Sequence, residues 1–224
     1  DNLTITDASL TVTAKNHGVN GKDSLTVENA ALTVVSGGDA VRSTNDKDET
    51  LGWILLNNAA LDLDAGEDGV QAETALTVNG GSYTLRTGGG SGGTAEGDTS
   101  AKGLKAGSQV TLNAGTFSLD CLDDAIHSNG SVAITGGSFT ISTGDDGVHA
   151  DEAASVSGGE ITISACYEGL EGQTVDISGG EISITASDDG VNAAGGADQS
   201  GFGGFGPDAF AANSDANIYI NGGT

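Results

Sequence analysis

The sequence predicts an all-β chain wound as a right-handed, single-stranded parallel β-helix of about eight to nine coils, each 21–22 residues long. Three observations predict it. One apolar spacing recurs along the whole chain. Glycine, asparagine or aspartate stands at a fixed point between the apolar pairs, and Leu, Lys and Arg are sparse beside 38 glycines, one proline and no methionine. Long amphipathic helices therefore have little to be built from.

The first side of each coil carries apolar residues at n and n+2: Leu3 and Ile5, Leu25 and Val27, Ile54 and Leu56, Leu76 and Val78, Val110 and Leu112, Val132 and Ile134, Ala154 and Val156, Val175 and Ile177, then Ile218 and Ile220. The second side repeats the alternation at n+7 and n+9, from Leu10 and Val12 through Tyr83 and Leu85, Phe117 and Leu119, and Phe139 and Ile141 to Ile182 and Ile184. Alternation of this kind makes short strands with one face turned inward. At n+4 stand Asp7, Asn29, Asn58, Gly80, Gly136, Gly158 and Gly179, residues that tolerate positive φ, so a left-handed corner is expected there; Ala114 breaks the rule beside Gly115. A third side follows, with one inward anchor per coil: Val19, Val41, Val70, Leu104, Ile126, Val148, Leu170 and Val191. Alone, such a coil has no core. Stacked at about 4.8 Å, its few inward side chains become continuous ladders.

Coil starts lie 22, 29, 22, 34, 22, 22, 21 and 43 residues apart, which places loop insertions near 42–53, 87–102 and 194–217. A sandwich or propeller fits neither this constant pattern nor its period. Residues 1–224 are read as one β-helix domain, trimmed at one or both ends, because Asp1 lies inside a repeat and Thr224 at a corner. Phe202, Phe205 and Phe210 ride the last insertion, where a cap or plug is as good a reading as a sugar platform.

A formal charge of -25 argues against nucleic acid and anionic membranes as partners. No apolar run approaches the ~18 residues of a membrane span. Cys121 and Cys166 fall on turns two coils apart, about 9 to 10 Å between Cα atoms, so free thiols are expected.

Stacking turns sequence positions into columns. Two residues before the third-side anchor stand His17, Asp39, Asp68, Lys102, Asp124, Asp146, Glu168 and Asp189, and one residue earlier Glu67, Asp123, Asp145 and Asp188. In-register carboxylates near 5 Å repel by roughly 1 kcal/mol in water and about 3 to 4 kcal/mol at a protein surface, so a cation is expected between them. Hard oxygen donors in flexible number suit Ca2+. The expected ligands are Asp124, Asp146, Glu168 and Asp189, then Asp123, Asp145, Asp188 and Asp151, with Glu171 as a further candidate. Aspartates capping turns at the corner are the plainer alternative. His127 and His149, one residue after the anchor, are expected to stack on the outer face, where a zinc pair is conceivable but simple filling of an outward polar column is the better account.

No nucleophile elbow, phosphate loop or dinucleotide motif occurs, and the runs Gly88 to Gly93 and Gly201 to Gly206 lack the required flanks. A lyase needs a base; only Lys102 and Lys105 lie near the acids, where interrupting a stack of like charges is the simpler role. Thr11, Thr33, Thr84, Ser118, Thr140, Thr162 and Ser183 form a hydroxyl column on the second side, and Trp53 sits by the first insertion. No residue is assigned to sugar.

The repeated Asp-Asp-Gly-Val-x-Ala at 145–150 and 188–193, the Ser-Gly-Gly-Glu-Ile-x-Ile at 157–163 and 178–184, and the Gly/Phe-rich insertion before Ile218 resemble the clostridial-type carbohydrate-binding β-helix domain. The resemblance covers most of the chain. It implies a pectate-lyase-like fold exported to a bacterial cell surface, binding calcium and polysaccharide, cellulose or acidic glycans such as polygalacturonate, with no catalytic residue to carry over. Asp145, Asp146, Asp188 and Asp189 match its acidic turn directly, Asp123 and Asp124 less well because Ala125 replaces glycine. Expected, then, is a noncatalytic calcium-binding domain for plant cell-wall polysaccharide; a calcium-dependent pectate-type lyase and a calcium-stiffened adhesin or stalk are the alternatives.

Overall fold

Every coil places its inward residues over those of the coil before it. In the computed structural model the described residues, 1–94, 100–194 and 215–224, form 18 strands in one hydrogen-bonded sheet system. All pairings between them are parallel, and no helix occurs among the described residues. Leu3 pairs with Leu25, Leu25 with Ile54, Ile54 with Leu76 and Leu76 with Val110; the ladder continues through Val132, Ala154 and Val175 to Ile218. The second side runs in the same register from Leu10 through Tyr83, Phe117 and Phe139 to Ile182. The third links Val19, Val41, Val70, Leu104, Ile126, Val148, Leu170 and Val191. This is the solenoid that the apolar spacing predicts.

The core is a single buried column. Tyr83, Phe117 and Phe139 lie inside it as an offset aromatic stack, with ring centroids 4.8 and 4.4 Å apart, and the Tyr83 hydroxyl donates to the Gly80 carbonyl at 2.7 Å. Both cysteines are free and buried, as expected. Burial pushes the Cys121 thiol up to about 12 and the Cys166 thiol up to about 11, which keeps them unreactive.

Two details differ from the sequence reading. The first and second sides of several coils are not separate strands but one bent strand, as in Trp53–Ala65, Ala75–Thr87 and Gln109–Cys121. The bend also moves along the chain. Asp7, Asn29 and Asn58 take left-handed φ values of 51°, 48° and 49° at n+4, and Gly80 follows them at 88°. In later coils the positive φ falls one residue on, at Gly137 (108°), Gly159 (101°) and Gly180 (96°), rather than at Gly136, Gly158 and Gly179. Asx residues reach only the compact left-handed well, whereas φ near 100° needs a residue without Cβ, so the corner follows the second glycine. Ala114 is tolerated for the same reason: the ladder slips on either side of it and Gly115 takes the turn at 131°.

Beneath the corner lies a ladder of side-chain amides. Asn79 Nδ2 donates to Asn57 Oδ1 at 2.9 Å, Asn113 Nδ2 to Asn79 Oδ1 at 2.7 Å, and Thr135 Oγ1 to Asn113 Oδ1 at 3.0 Å. The first insertion folds onto the stack: Asn45 Nδ2 donates to Asp23 Oδ1, and the Gly52 N–H to the Asp23 carbonyl, both at 2.6 Å. Phe202, Phe205, Phe210 and the run Gly201 to Gly206 lie outside the described residues.

Candidate functional site

The acidic corner is built by backbone register. Asp39, Asp68, Lys102, Asp124, Asp146 and Glu168 sit two residues before successive inward anchors, and all are buried. Their carboxylates do not simply face one another. Asp39 Oδ1 accepts the Asp68 N–H at 3.2 Å, Asp68 Oδ1 the Lys102 N–H at 2.9 Å, Asp124 Oδ1 the Asp146 N–H at 3.0 Å, and Asp146 Oδ1 the Glu168 N–H at 3.1 Å. Each acid thereby satisfies an amide of the next coil that the corner would otherwise leave unpaired.

The second oxygen meets a cation from the chain itself. Asp39 Oδ2 lies 3.3 Å from Arg42 Nη1, and Asp68 Oδ2 lies 2.9 Å from Lys105 Nζ. Asp124 Oδ2 lies 2.6 Å from Lys102 Nζ and 2.8 Å from His127 Nδ1, and Asp146 Oδ2 lies 3.2 Å from His149 Nδ1. The unrelieved stack of like charges expected from the sequence is therefore broken by protein cations. Burial raises the Asp124 pKa while the Lys102 charge and the hydrogen bond to His127 lower it, and the lowering wins: the pKa falls well below the carboxylate range. The signal for these partners was the i,i+3 spacing in Asp39 to Arg42, Asp124 to His127 and Asp146 to His149. Lys105 has no such signal, because its acid lies on the preceding coil.

His127 and His149 stack as expected, with ring centroids 5.0 Å apart and planes 11° apart, but they are buried rather than laid on an outer face. Polar filling of a solvated column is not their role. His149 Nδ1 meets Asp146 and, at 2.9 Å, Glu171 Oε2; its Nε2 lies 3.2 Å from Asp151 Oδ1. Burial alone would lower the His149 pKa, yet its hydrogen bonds to Asp146, Asp151 and Glu171 outweigh it and hold the ring protonated far above its usual range, while burial pushes the Asp146 carboxyl up to about 9.

The expected ligands separate into sets. Asp123, Asp124 and Asp145 bring carboxylate oxygens within 4.8 Å of one another, with Lys102 Nζ at 2.7 Å from Asp123 Oδ1. Asp146, His149 and Glu171 form a second, mixed group, and His17, Asp39 and Glu67 a third. Glu168 receives both hydrogen bonds of Asn192 Nδ2, at 3.0 and 2.9 Å. Asp188 and Asp189 are exposed and belong to none of these groups.

Acids also stand on the outer faces away from the corner, among them the exposed Glu28, Asp62, Asp64, Glu160 and Glu181. Thr11, Thr33, Thr84, Ser118, Thr140, Thr162 and Ser183 form one exposed, in-register row, interrupted by Asp62. Trp53 is half-buried beside an open groove of about 340 Å³ on the first side.

The family model described as carbohydrate-binding domain-containing protein matches residues 1–147 and 132–224, two overlapping stretches that together span the chain. The chain belongs to this family. No curated protein and no solved structure matches it. As a carbohydrate-binding domain it presents two surfaces of different chemistry, the acidic corner and the hydroxyl-bearing outer faces.

Proposed function

We propose that this carbohydrate-binding domain holds polysaccharide without transforming it, as a right-handed β-helix of eight to nine coils exported to a bacterial surface. The observation that carries the reading is the family match over the whole chain. The in-register hydroxyl row supports it, since a rigid ladder of polar groups suits a repeating polymer. Plant cell-wall glycans, cellulose or polygalacturonate, are the proposed ligands.

Calcium is proposed at Asp123, Asp124 and Asp145, whose donors are all oxygen and lie within a cation's reach of one another. Lys102 competes for the same carboxylates. The remaining expected ligands fit calcium less well: Asp146, Asp151 and Glu171 hold the His149 ring, and Glu168 is taken by Asn192. Bound calcium would supply the positive charge that an acidic glycan needs on so acidic a protein.

The lyase alternative needs a free base, and the lysines nearest the acids are engaged: Lys102 Nζ with Asp123 and Asp124, Lys105 Nζ with Asp68. That favours binding over catalysis.

Calorimetric titration of EDTA-stripped protein with calcium, then with polygalacturonate or cello-oligosaccharide, tests the reading. Expected is heat from calcium that is lost in Asp145→Asn, and binding of at least one glycan with no unsaturated product in the ultraviolet. Silence with every glycan overturns carbohydrate binding; accumulation of unsaturated sugar restores the lyase.

A further inference from the structure

We infer that Trp53 is the platform of a subsite for a neutral hexopyranose chain, in the groove between the first insertion and the first-side face. The inference rests on the carbohydrate-binding reading and specifies where, and for which class of sugar, binding occurs.

The starting point is a break in pattern. Outward positions flanking the first inward residue are Asn2 and Thr4, Ser24 and Thr26, Ala75 and Thr77, Gln109 and Thr111, Ser131 and Ala133, Ala153 and Ser155, and Thr174 and Asp176, all small or polar, with Asn217 and the exposed Tyr219 in the last coil. In one coil they are Trp53 and Leu55. The chain's single tryptophan is thus turned out of the core, beside a second large apolar residue, while Ile54 between them is buried. A large apolar pair set outward on an otherwise polar face asks for an explanation, because burial of either would be favourable.

The neighbours make this pair the floor of a cleft. Ala75, next in the column on the following coil, is too short to cover the indole, and Thr77, paired with Leu55, and Ser108, whose hydroxyl donates to the Thr74 carbonyl at 2.7 Å, add oxygens to the lining. Glu49 and Thr50 of the insertion form the opposite wall. That wall is fixed before any ligand arrives: the Leu51 N–H donates to the Asp48 carbonyl at 2.9 Å, Thr74 Oγ1 to the Leu51 carbonyl at 2.6 Å, and the Thr74 N–H to the Gly52 carbonyl at 3.1 Å. A preorganised wall lowers the ordering cost of binding. The cleft of about 340 Å³ falls in the size range of small-ligand sites, and its mixture of one aromatic face with a few hydroxyls and a carboxylate is their usual lining.

This lining selects the ligand. A pyranose ring offers a C–H face that packs on an indole and an equatorial rim of hydroxyls that pairs with Thr, Ser and Glu side chains. No Lys or Arg lines the groove, and the insertion beside it carries Asp46, Asp48 and Glu49 against Lys47, which already pairs with Asp46 at 2.6 Å, and Arg42, which pairs with Asp39 at 3.3 Å. A uronate chain would meet repulsion here. A neutral chain would not.

Because the chain has one tryptophan, its emission reports on this groove alone. Titrating the calcium-free protein with cellohexaose should quench or shift the emission to saturation, and trigalacturonate should leave it unchanged. Trp53→Ala should weaken cellohexaose binding by calorimetry at least about tenfold, as expected for loss of a central aromatic anchor. Thr77→Arg, which fills the groove and leaves the indole in place, should do the same and guards against misfolding of the first variant. Cellohexaose binding that is equally tight in both variants, or that leaves the emission untouched, places the sugar elsewhere and overturns the subsite while carbohydrate binding stands. Binding of trigalacturonate alone overturns the neutral class in the same way. A wild-type protein that binds neither sugar without calcium removes the subsite, and one that binds neither with calcium present as well removes the proposed function too.

Discussion

Lys102 shows how a single residue decides the character of the acidic corner. Its ammonium is buried, and although burial opposes the charge, Asp124 and Asp123 hold its pKa above the usual lysine range. Removing one member of a buried ion pair leaves the other charge uncompensated, typically at a cost of about 3 to 5 kcal/mol. Lys102→Met should therefore lower stability by that amount in urea unfolding without calcium. If calcium takes the same carboxylates, millimolar calcium should restore much of the loss in the variant and tighten calcium binding relative to the wild type. A variant that calcium leaves unchanged would remove Asp123 and Asp124 from the proposed site. His149 gives a pH test. Its folded pKa is raised above the unfolded value near 6.5, so its contribution is complete below pH 6.5 and is lost as pH rises toward the folded value. Asp146, whose pKa burial pushes up to about 9, adds a slope of the same sign, so stability should fall between pH 6.5 and 8.5, and His149→Gln should make that fall shallower. Urea midpoints at three pH values measure it. The acids themselves were legible in the sequence, because their column needs only the repeat. Their partners were not fully so: the Lys105 ammonium reaches Asp68 across a coil boundary and an insertion.

At the scale of the element, the inward ladder was legible almost residue by residue, since a constant four-point apolar spacing admits one parallel register. The asparagine ladder was not, because its column reads Glu28, Asn57, Asn79, Asn113 and Thr135, a mixture whose last four members become a chain of side-chain hydrogen bonds only once the coils are stacked. The shift of the bend from Gly136 to Gly137 was hidden for a related reason: adjacent glycines offer both positions, and the residue types alone do not choose between them. Within the ladder the weight falls on Phe117, which stacks on Tyr83 and on Phe139 at once. Phe117→Ala removes a fully buried ring and both stacking contacts, and should cost about 3 to 5 kcal/mol. Phe117→Leu keeps much of the volume and should cost less. A lower urea midpoint for both, in that order, is the expected result; near-equal midpoints would mean that the stack adds nothing beyond filled space.

Across the described residues, the strands of each coil pair only with those of the coils above and below, and apart from the Ser91–Ser142 hydroxyl contact at 2.9 Å from the second insertion, cohesion is shared between neighbouring interfaces rather than gathered in one centre. Burial follows this arrangement. Leu76, Val110, Leu112 and Ile126 are 0 % exposed, whereas Leu10 is 41 %, Ile218 42 % and Ile220 64 % exposed. The formal charge of -25 adds repulsion along the stack, which is relieved at the corner by paired cations. For residues 1–224 taken alone, opening the first or last coil breaks one interface, whereas opening a middle coil breaks two and uncovers the aromatic stack. Amides in Asn2–Thr6, Ser9–Ala14 and Asn217–Ile220 should therefore exchange with solvent at least about 100-fold faster than those in Ala75–Thr87 and Gln109–Cys121 at low salt. Added salt screens the repulsion and should slow exchange at the ends more than in the middle. Hydrogen-exchange mass spectrometry of the intact chain resolves these segments. Uniform protection from end to end would show that the coils open as one unit, and a stack held by nearest-neighbour interfaces could not behave in that way.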